Sequence, residues 1–341
     1  MCLIAMAWGM HPDYPLVIAA NRDEWYARPT APLTQWRTGH DAAHGSGYTI
    51  ISGRDLQSGG TWMGFTPQGR FAMLTNVRKA PASAASWARS TASPSTTPPS
   101  RGQLVVNWLC SSDAAPDWAA QQKLAAYEGF NLILGDWASQ TCHYVTNQAL
   151  HPIYPSNTPV VQVSINQTAI ENIANTPQGL SAGCVFGLSN APLDTPWPKT
   201  LALCAAVRTA LAQLDLAQLD GAQLDDTQLG RKETDVQARV PSEDGLLQRL
   251  QLALQDSTVA PESALPSTGV PVALERDLSS VFVRHPRDSV AATYGTRSSL
   301  CVLLHRDGRL RLQETTHYHP AGAAPSRVRQ GLQWPTARPA A

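Results

Sequence analysis

The sequence contains no apolar run approaching the roughly 18 residues that a membrane-spanning helix needs, so no stable membrane insertion is expected. It carries no excess charge of either sign. Lys+Arg and Asp+Glu stand at 26 each, which argues against the basic footprint of a nucleic-acid binder or a polybasic membrane anchor. Six cysteines, at 2, 110, 142, 184, 204 and 301, form neither a CxxC pair nor a zinc-ligand spacing. Scattered in this way they read as reduced thiols of a cytoplasmic protein, most of them small buried hydrophobes. Glycine-rich phosphate loops of the GxGxxG or GxxxxGK[ST] type are absent, and so is any βαβ alternation. The first residues are apolar but have no cationic leader region, and the run breaks at Gly9, so no signal peptide is expected.

What is present is a globular composition, 43% hydrophobic and 15% charged, in a chain long enough for one large domain. Its first two dozen residues organise the rest. Leu3 to Trp8 is one apolar run and Leu16 to Ala20 a second, with a turn-rich stretch from Gly9 to Pro15 between them. The pattern predicts a hairpin of two buried strands. In an antiparallel pair the start of the first strand lies beside the end of the second, which places Cys2 near Arg22 and Asp23.

Further hairpins are read over 48–53, 59–65 and 71–77, the last delivering Asn76 to the end of a buried strand, and over 130–136 and 141–145. Strands are expected at 160–165, 184–190, 280–283, 294–305 and 310–315. Helices are expected at 101–109, 117–127, 200–214 and 243–254, the last with Leu246, Leu247, Leu250 and Leu254 on one face. The stretch after Arg28-Pro29 reads as a loop. A Pro/Ser/Thr-rich segment (83–98) and a five-residue repeat within 212–235 read as flexible insertions, four repeats being too few to stack a solenoid. One domain over 1–315 and a disordered tail over 320–341 are expected. Many hairpins and a few helices imply an α+β fold, antiparallel sheets covered by helices.

Cys2 is the residue with chemical promise. A thiol is nucleophilic only as thiolate. When Met1 is removed, Cys2 gains a free α-amine that can serve as its general base. Arg22 could lower the thiol pKa or hold a substrate carboxylate; the plainer reading is a strand-end ion pair. Asn76 and Asn190 could donate to an oxyanion; the plainer reading is turn capping.

Met1-Cys2-Leu3-Ile4, Asn21-Arg22-Asp23-Glu24-Trp25, Gly59-Gly60-Thr61-Trp62-Met63-Gly64, Leu74-Thr75-Asn76, Arg101-Gly102, Gly129-Phe130-Asn131, Gly187-Leu188-Ser189-Asn190-Ala191-Pro192, Trp197-Pro198-Lys199 and Tyr294-Gly295-Thr296-Arg297 occur in this order. Together they resemble the NRDE family, of the transport and Golgi organisation protein 2 type, over about residues 1–315. That family is in turn similar to the N-terminal nucleophile hydrolases of the choloylglycine hydrolase and penicillin V acylase group. The resemblance implies a four-layer αββα sandwich with a catalytic set of Cys2, Arg22, Asp23, Asn76, Asn190 and Arg297, Asp23 being the weaker match. It implies hydrolysis of a linear amide or thioester without a cofactor or metal. The alternative it carries is a non-catalytic protein that binds and transports haem or an acyl-CoA-like lipid. His317 and His319 are expected at the surface. A structural partner in the secretory system finds no support in the residues.

Overall fold

The computed structural model describes residues 2–38, 47–77, 98–148, 163–165, 168–172, 184–224, 243–284, 293–318 and 324–335. Two antiparallel sheets lie face to face with helices on their outer faces. The first has the order β11-β1-β2-β12-β13-β14, formed by β1 (Cys2–Trp8), β2 (Leu16–Trp25), β11 (Cys184–Leu188), β12 (Tyr294–Leu304), β13 (Arg309–Thr316) and β14 (Ser326–Gln333). The second has the order β3-β4-β5-β6-β7-β8-β10-β9. Its strands are β3 (Thr30–Arg37), β4 (Thr49–Asp55), β5 (Met63–Phe65), β6 (Arg70–Asn76), β7 (Phe130–Asp136), β8 (Thr141–Thr146), β9 (Val163–Ile165) and β10 (Thr168–Asn172).

Side-chain alternation sets the layers. Ile4, Met6 and Trp8 of β1 and Leu16, Ile18 and Ala20 of β2 meet Phe65, Phe71, Met73 and Ile133 between the sheets. Leu3, Ala5 and Ala7 point the other way, onto α3 (Pro198–Leu224) and α4 (Glu243–Leu254). On the far side Ala72, Leu132 and Leu134 pack against α1 (Gly102–Leu109) and α2 (Ala115–Gln121). The result is helix, sheet, sheet, helix, as expected. Both faces of β1 are covered, which is why its sequence is an unbroken apolar run.

The hairpins and the apolar face of α4 fall where the pattern put them. Several expectations need correction. The segment after Pro29 is not a loop but β3, an edge strand whose register shifts between Ala31 and Thr34 around Pro32. Proline is tolerated at such an edge, and its presence hid the strand. Ser280 to Val283 is not a strand; it is held by Asn21, whose Nδ2 donates to the Val281 carbonyl at 2.9 Å, and by the Thr296 hydroxyl. A short helix precedes it, α5 (Val272–Asp277). The 117–127 helix is shorter and ends in a separate 3-10 turn, Leu124–Ala126. The helix from Pro198 runs on into the five-residue repeat as far as Leu224. Residues 83–97, 160–162 and 225–235 of the expected elements lie outside the described residues.

The expected tail contains the largest departure. Residues 326–333 pair with β13 along its whole length, and Trp334 is buried. Its indole donates to the Thr66 carbonyl at 2.7 Å and stacks with Phe71 and Trp137. Val328, Leu332 and Trp334 alternate at strand period, a signal masked by the surrounding arginine and glutamine. Replacing Trp334 by Ala is expected to cost about 3–5 kcal/mol of stability, the range for emptying a large aromatic site in a packed core. Equilibrium urea unfolding of the two proteins measures it.

Candidate active site

The register of β1 against β2 sets the site. Cys2 pairs with Arg22, Leu3 with Asn21 and Ile4 with Ala20. Arg22 therefore sits beside Cys2 as expected, and both share the face that looks between the sheets. Beyond the last apolar layer this face opens into a cavity of about 530 Å³. Cys2 lies at its floor with Arg22; Leu74 and Asn76 of β6 form the facing wall.

A third wall comes from the start of α1. Gly60 meets the backbone of Gly102 so closely that a Cβ on Gly60 would lie 2.6 Å from a backbone carbon. The two glycines let the turn before β5 press against the first turn of α1, which carries Arg101 into the cavity.

The cavity is rich in charge, and its arginines are paired. Arg22 donates to Thr30 Oγ1 at 3.2 Å and reaches Glu24 at 3.4 Å. Arg28 donates to Asp55 Oδ2 from Nε at 2.9 Å and from Nη2 at 2.6 Å. Arg101 donates to the Gly129 carbonyl and lies 3.4 Å from Glu128. Arg54 donates to the Gly59 carbonyl and stacks over Trp36 at 4.5 Å. Glu314, buried at the base, accepts the Leu33 N–H at 2.8 Å, and burial pushes its carboxyl above the usual range. Arg28, Arg54, Asp55, Glu128 and Glu314 stand outside the quoted motifs and gave no sequence signal. Arg54 and Asp55 come from β4, Glu314 from β13, and Arg28 and Glu128 from the segments before β3 and β7.

Cys2 is only 8% exposed. Burial pushes its thiol up to about 11, against the opposing pull of the amino-terminal charge and of Arg22. A thiol of that pKa is ionised in only about one molecule in ten thousand at pH 7.

The six candidate residues divide. Cys2, Arg22, Asp23 and Asn76 line the cavity. By alternation the Asp23 side chain leaves β2 on the face opposite Arg22 and Glu24, and its Oδ1 accepts the Thr296 hydroxyl at 2.7 Å. Asp23 is buried, and burial raises its carboxyl pKa against the lowering charges of Lys199 and the amino terminus.

Asn190 and Arg297 do not line the cavity. The Asn190 amide donates to the Asn76 carbonyl at 2.7 Å, so Asn190 fixes the end of β6 and does not face the cavity. Arg297 Nη1 donates to the carbonyls of Trp25, Tyr26 and Arg28, which folds the chain after β2 around the guanidinium. Both are structural supports at the site's edge, where a convergent role was expected.

His317 departs from expectation in another way. It is half-buried, hydrogen-bonded to the Ser299 hydroxyl at 2.8 Å and packed edge-on against Phe282 at 4.9 Å; His319 lies outside the described residues. Among the described residues no group of three or more His, Cys, Asp or Glu side chains could hold a metal ion, and no histidine lines the cavity.

Replacing Arg297 by Ala takes the charged donor away from part-buried carbonyls and is expected to cost about 1–3 kcal/mol of stability. Thermal unfolding measures the loss, and the same preparation should keep the alkylation profile of Cys2, since the guanidinium does not reach the thiol.

A family model described as Transport and Golgi organisation 2 matches residues 1–319. Among curated relatives, a Transport and Golgi organization protein 2 homolog of Bos taurus is 26% identical over 332 residues, covering 92% of each chain. The Homo sapiens homolog is 25% identical over 331 residues, again covering 92% of each. Among solved structures, a Caenorhabditis elegans ortholog of N-acylethanolamine-hydrolyzing acid amidase is similar at a TM-score of 0.37 and 12% identity, over 73% of this chain and 85% of that one. A mutant of conjugated bile acid hydrolase from Clostridium perfringens is similar at a TM-score of 0.37 and 8% identity, over 98% of both chains. With the family model spanning nearly the whole length, the chain belongs to the Transport and Golgi organisation 2 family.

Proposed function

We propose that the protein is a thiol hydrolase whose nucleophile is Cys2 after removal of Met1, acting on a linear amide or thioester. The observation that carries this reading is the position of the Cys2 sulfur on the floor of a charged cavity, at the end of the strand where an α-amine would stand.

The neutral thiol sets the requirement. At a pKa of about 11 it needs a base, and among the described residues no histidine lines the cavity. The α-amine of a processed Cys2 supplies one, with a reference pKa near 7.7–8.0. The amine takes the thiol proton as sulfur attacks the carbonyl carbon. The carbonyl oxygen becomes an oxyanion facing the Asn76 carboxamide, which Asn190 holds through the Asn76 backbone. The ammonium then returns its proton to the departing amine or thiolate, leaving an acyl thioester on Cys2. Water, deprotonated by the same amine, attacks that thioester and releases the acid. Arg22 beside the sulfur favours negative charge there.

One observation favours a second reading. While Met1 is retained the thiol is neutral and has no base, and the same arginines suit a ligand carrying carboxylates or phosphates. The protein would then bind and carry haem or an acyl thioester without turnover. The cytoplasmic setting expected from the cysteine pattern belongs to both readings.

The first reading predicts an intact mass lacking Met1, and loss of linear-amide or thioester hydrolysis by about 10³-fold or more in Cys2→Ala. It also predicts the direction of thiol chemistry. Iodoacetamide should label Cys2 of the Met1-free protein near pH 7, whereas a chain retaining Met1 is labelled only as pH rises towards about 11. Undiminished turnover in Cys2→Ala excludes the mechanism. A saturable Soret shift on adding haem, with no hydrolysis, favours the second reading.

A further inference from the structure

The arginines of the cavity are not equally committed to their partners. Arg28 binds Asp55 through two donors at 2.9 and 2.6 Å, and the Arg22 and Glu24 side chains are only 8% and 22% exposed. Arg101 is held differently. Its Nη1 donates to the Gly129 carbonyl at 3.2 Å, and its Nη2 stands 3.4 Å from a Glu128 oxygen. A close guanidinium–carboxylate hydrogen bond measures about 2.7–2.9 Å. Glu128 therefore supplies counter-charge without a short hydrogen bond, and its side chain is 59% exposed.

The backbone sets this guanidinium in place before any ligand arrives. The Arg101 carbonyl accepts the Leu104 N–H at 3.0 Å and so starts α1, while the Thr61 N–H donates to the Gly102 carbonyl at 3.3 Å. The Gly129 carbonyl that receives Nη1 also accepts the Val77 N–H at 2.9 Å. Val77 follows Asn76 directly, so the shared carbonyl puts Nη1 within about 9 Å of the Asn76 α-carbon. A cation fixed in advance binds an anion with little ordering cost.

Cys2, Asn76, Arg101 and Glu128 line one cavity, to which Trp62 and Leu74 add apolar surface. At about 530 Å³ it has the size of a small-molecule site. The Glu128 carboxylate marks where an anionic group sits beside Arg101. An incoming anion gains charge-assisted hydrogen bonds that Glu128 does not make, and Glu128 returns to water.

We propose that Arg101 anchors an anionic group of the ligand: a carboxylate or phosphate, joined by a short chain to the carbonyl that meets Cys2, binds the Arg101 guanidinium in place of Glu128. The inference deepens the thiol reading of the site and rests on it for the part of the ligand that reacts. Arg101 then selects the ligand, while Arg22 stays with Glu24 beside the sulfur.

Calorimetric titration of the full-length Cys2→Ala protein with glutarate, neutral glutaramide and inorganic phosphate tests the anchor without the thiol. At least one of the two anions should bind saturably and glutaramide should not. Arg101→Gln should weaken that binding about tenfold or more, the effect of losing a charged hydrogen bond. Glu128→Gln should tighten it, because the competing carboxylate is gone. Tighter binding of glutarate assigns a carboxylate, and tighter binding of phosphate assigns a phosphate. Where Arg101→Gln does not fold, Arg101→Lys and Glu128→Gln decide. Absence of anion binding, or binding indifferent to both positions, overturns the proposal.

The second arm reads the thiol. In Met1-free protein, maleimidopropanoate and maleimidobutanoate are each compared with their neutral amides, and labelling of Cys2 is followed by peptide mass spectrometry. For the chain length that spans from the sulfur to Arg101, the acid should outpace the amide about tenfold, and the preference should vanish in Arg101→Gln. The ratio of acid to amide cancels any general change in the thiol. A preference that survives Arg101→Gln and is lost in Arg22→Gln assigns the anion to Arg22 and overturns the proposal. Retention of Met1, or turnover by Cys2→Ala, defeats the thiol reading, while calorimetry still decides the role of Arg101.

Discussion

The pairing of β1 with β2 is the constraint on which the rest depends. Seven residue pairs lock Cys2 to Arg22 at one end and Trp8 to Leu16 at the other. A slip of one residue would turn Ile4, Met6 and Trp8 out of the inter-sheet core and Leu3, Ala5 and Ala7 into it. Each large apolar side chain so misplaced loses about 1.5–3 kcal/mol of burial, so the layers themselves fix the register. β11 and β12 flank the pair on both sides, and β2 extends past β1 to reach Glu24 and Trp25. Cys2 is thus held with a guanidinium beside it because an apolar core further down permits no other alignment.

The open end of the sandwich is tied by polar groups, because a cavity there leaves no apolar contact to hold the sheets apart at a fixed distance. Asn131 of β7 donates to the Ala191 carbonyl at 2.8 Å and accepts from the Tyr144 hydroxyl at 2.6 Å. Thr75 of β6 donates to the Ser189 carbonyl, and Ser189 donates to the Cys2 carbonyl at 3.2 Å. The loop after β11 therefore bridges the first sheet to three strands of the second. Net gains per bond are about 1 kcal/mol, but an orphaned buried partner costs about 1–3 kcal/mol, so the network specifies the geometry more than it stabilises the fold. Asn190 belongs to this tie, which explains why its amide serves a backbone carbonyl and not the cavity.

What could be read from the residues follows the same physics. The opening hairpin was legible because apolar runs, a turn and a charged terminus coincide in 25 residues, and the Cys2–Arg22 proximity followed from antiparallel geometry alone. Arg297 was misplaced because sequence order near β12 does not disclose which way a guanidinium turns. It turns to the carbonyls after β2, a contact across some 270 positions. β3 and β14 were missed for a shared reason: both are edge strands, half solvated, where proline, arginine and glutamine are tolerated and the apolar alternation is diluted. Arg54 and Asp55 of β4 and Glu314 of β13 were illegible because surface-like residues enter a cavity only once the sheets have been paired.

The charge pairing inside the cavity limits how a ligand can enter. At Arg22, Arg28 and Arg101 an anionic group gains the guanidinium only by displacing a carboxylate already there. Arg22 is enclosed with Glu24, and Arg28 holds Asp55 through two donors at 2.9 and 2.6 Å, so neither is readily released. The partner of Arg101 is different: Glu128 has a side chain 59% exposed, sits 3.4 Å away, and can swing into water at the small cost of a surface ion pair, about 0–1 kcal/mol. Arg101 itself is largely buried, and desolvation lowers its pKa, so an incoming anion meets a guanidinium short of solvation. The exchange that costs least is therefore at the mouth of α1, on the wall held by the Gly60–Gly102 contact, while the Arg22–Glu24 pair stays intact beside the sulfur. The same arrangement sets two positive groups apart: an arginine at the wall whose carboxylate partner is exposed, and one at the floor whose partner is enclosed.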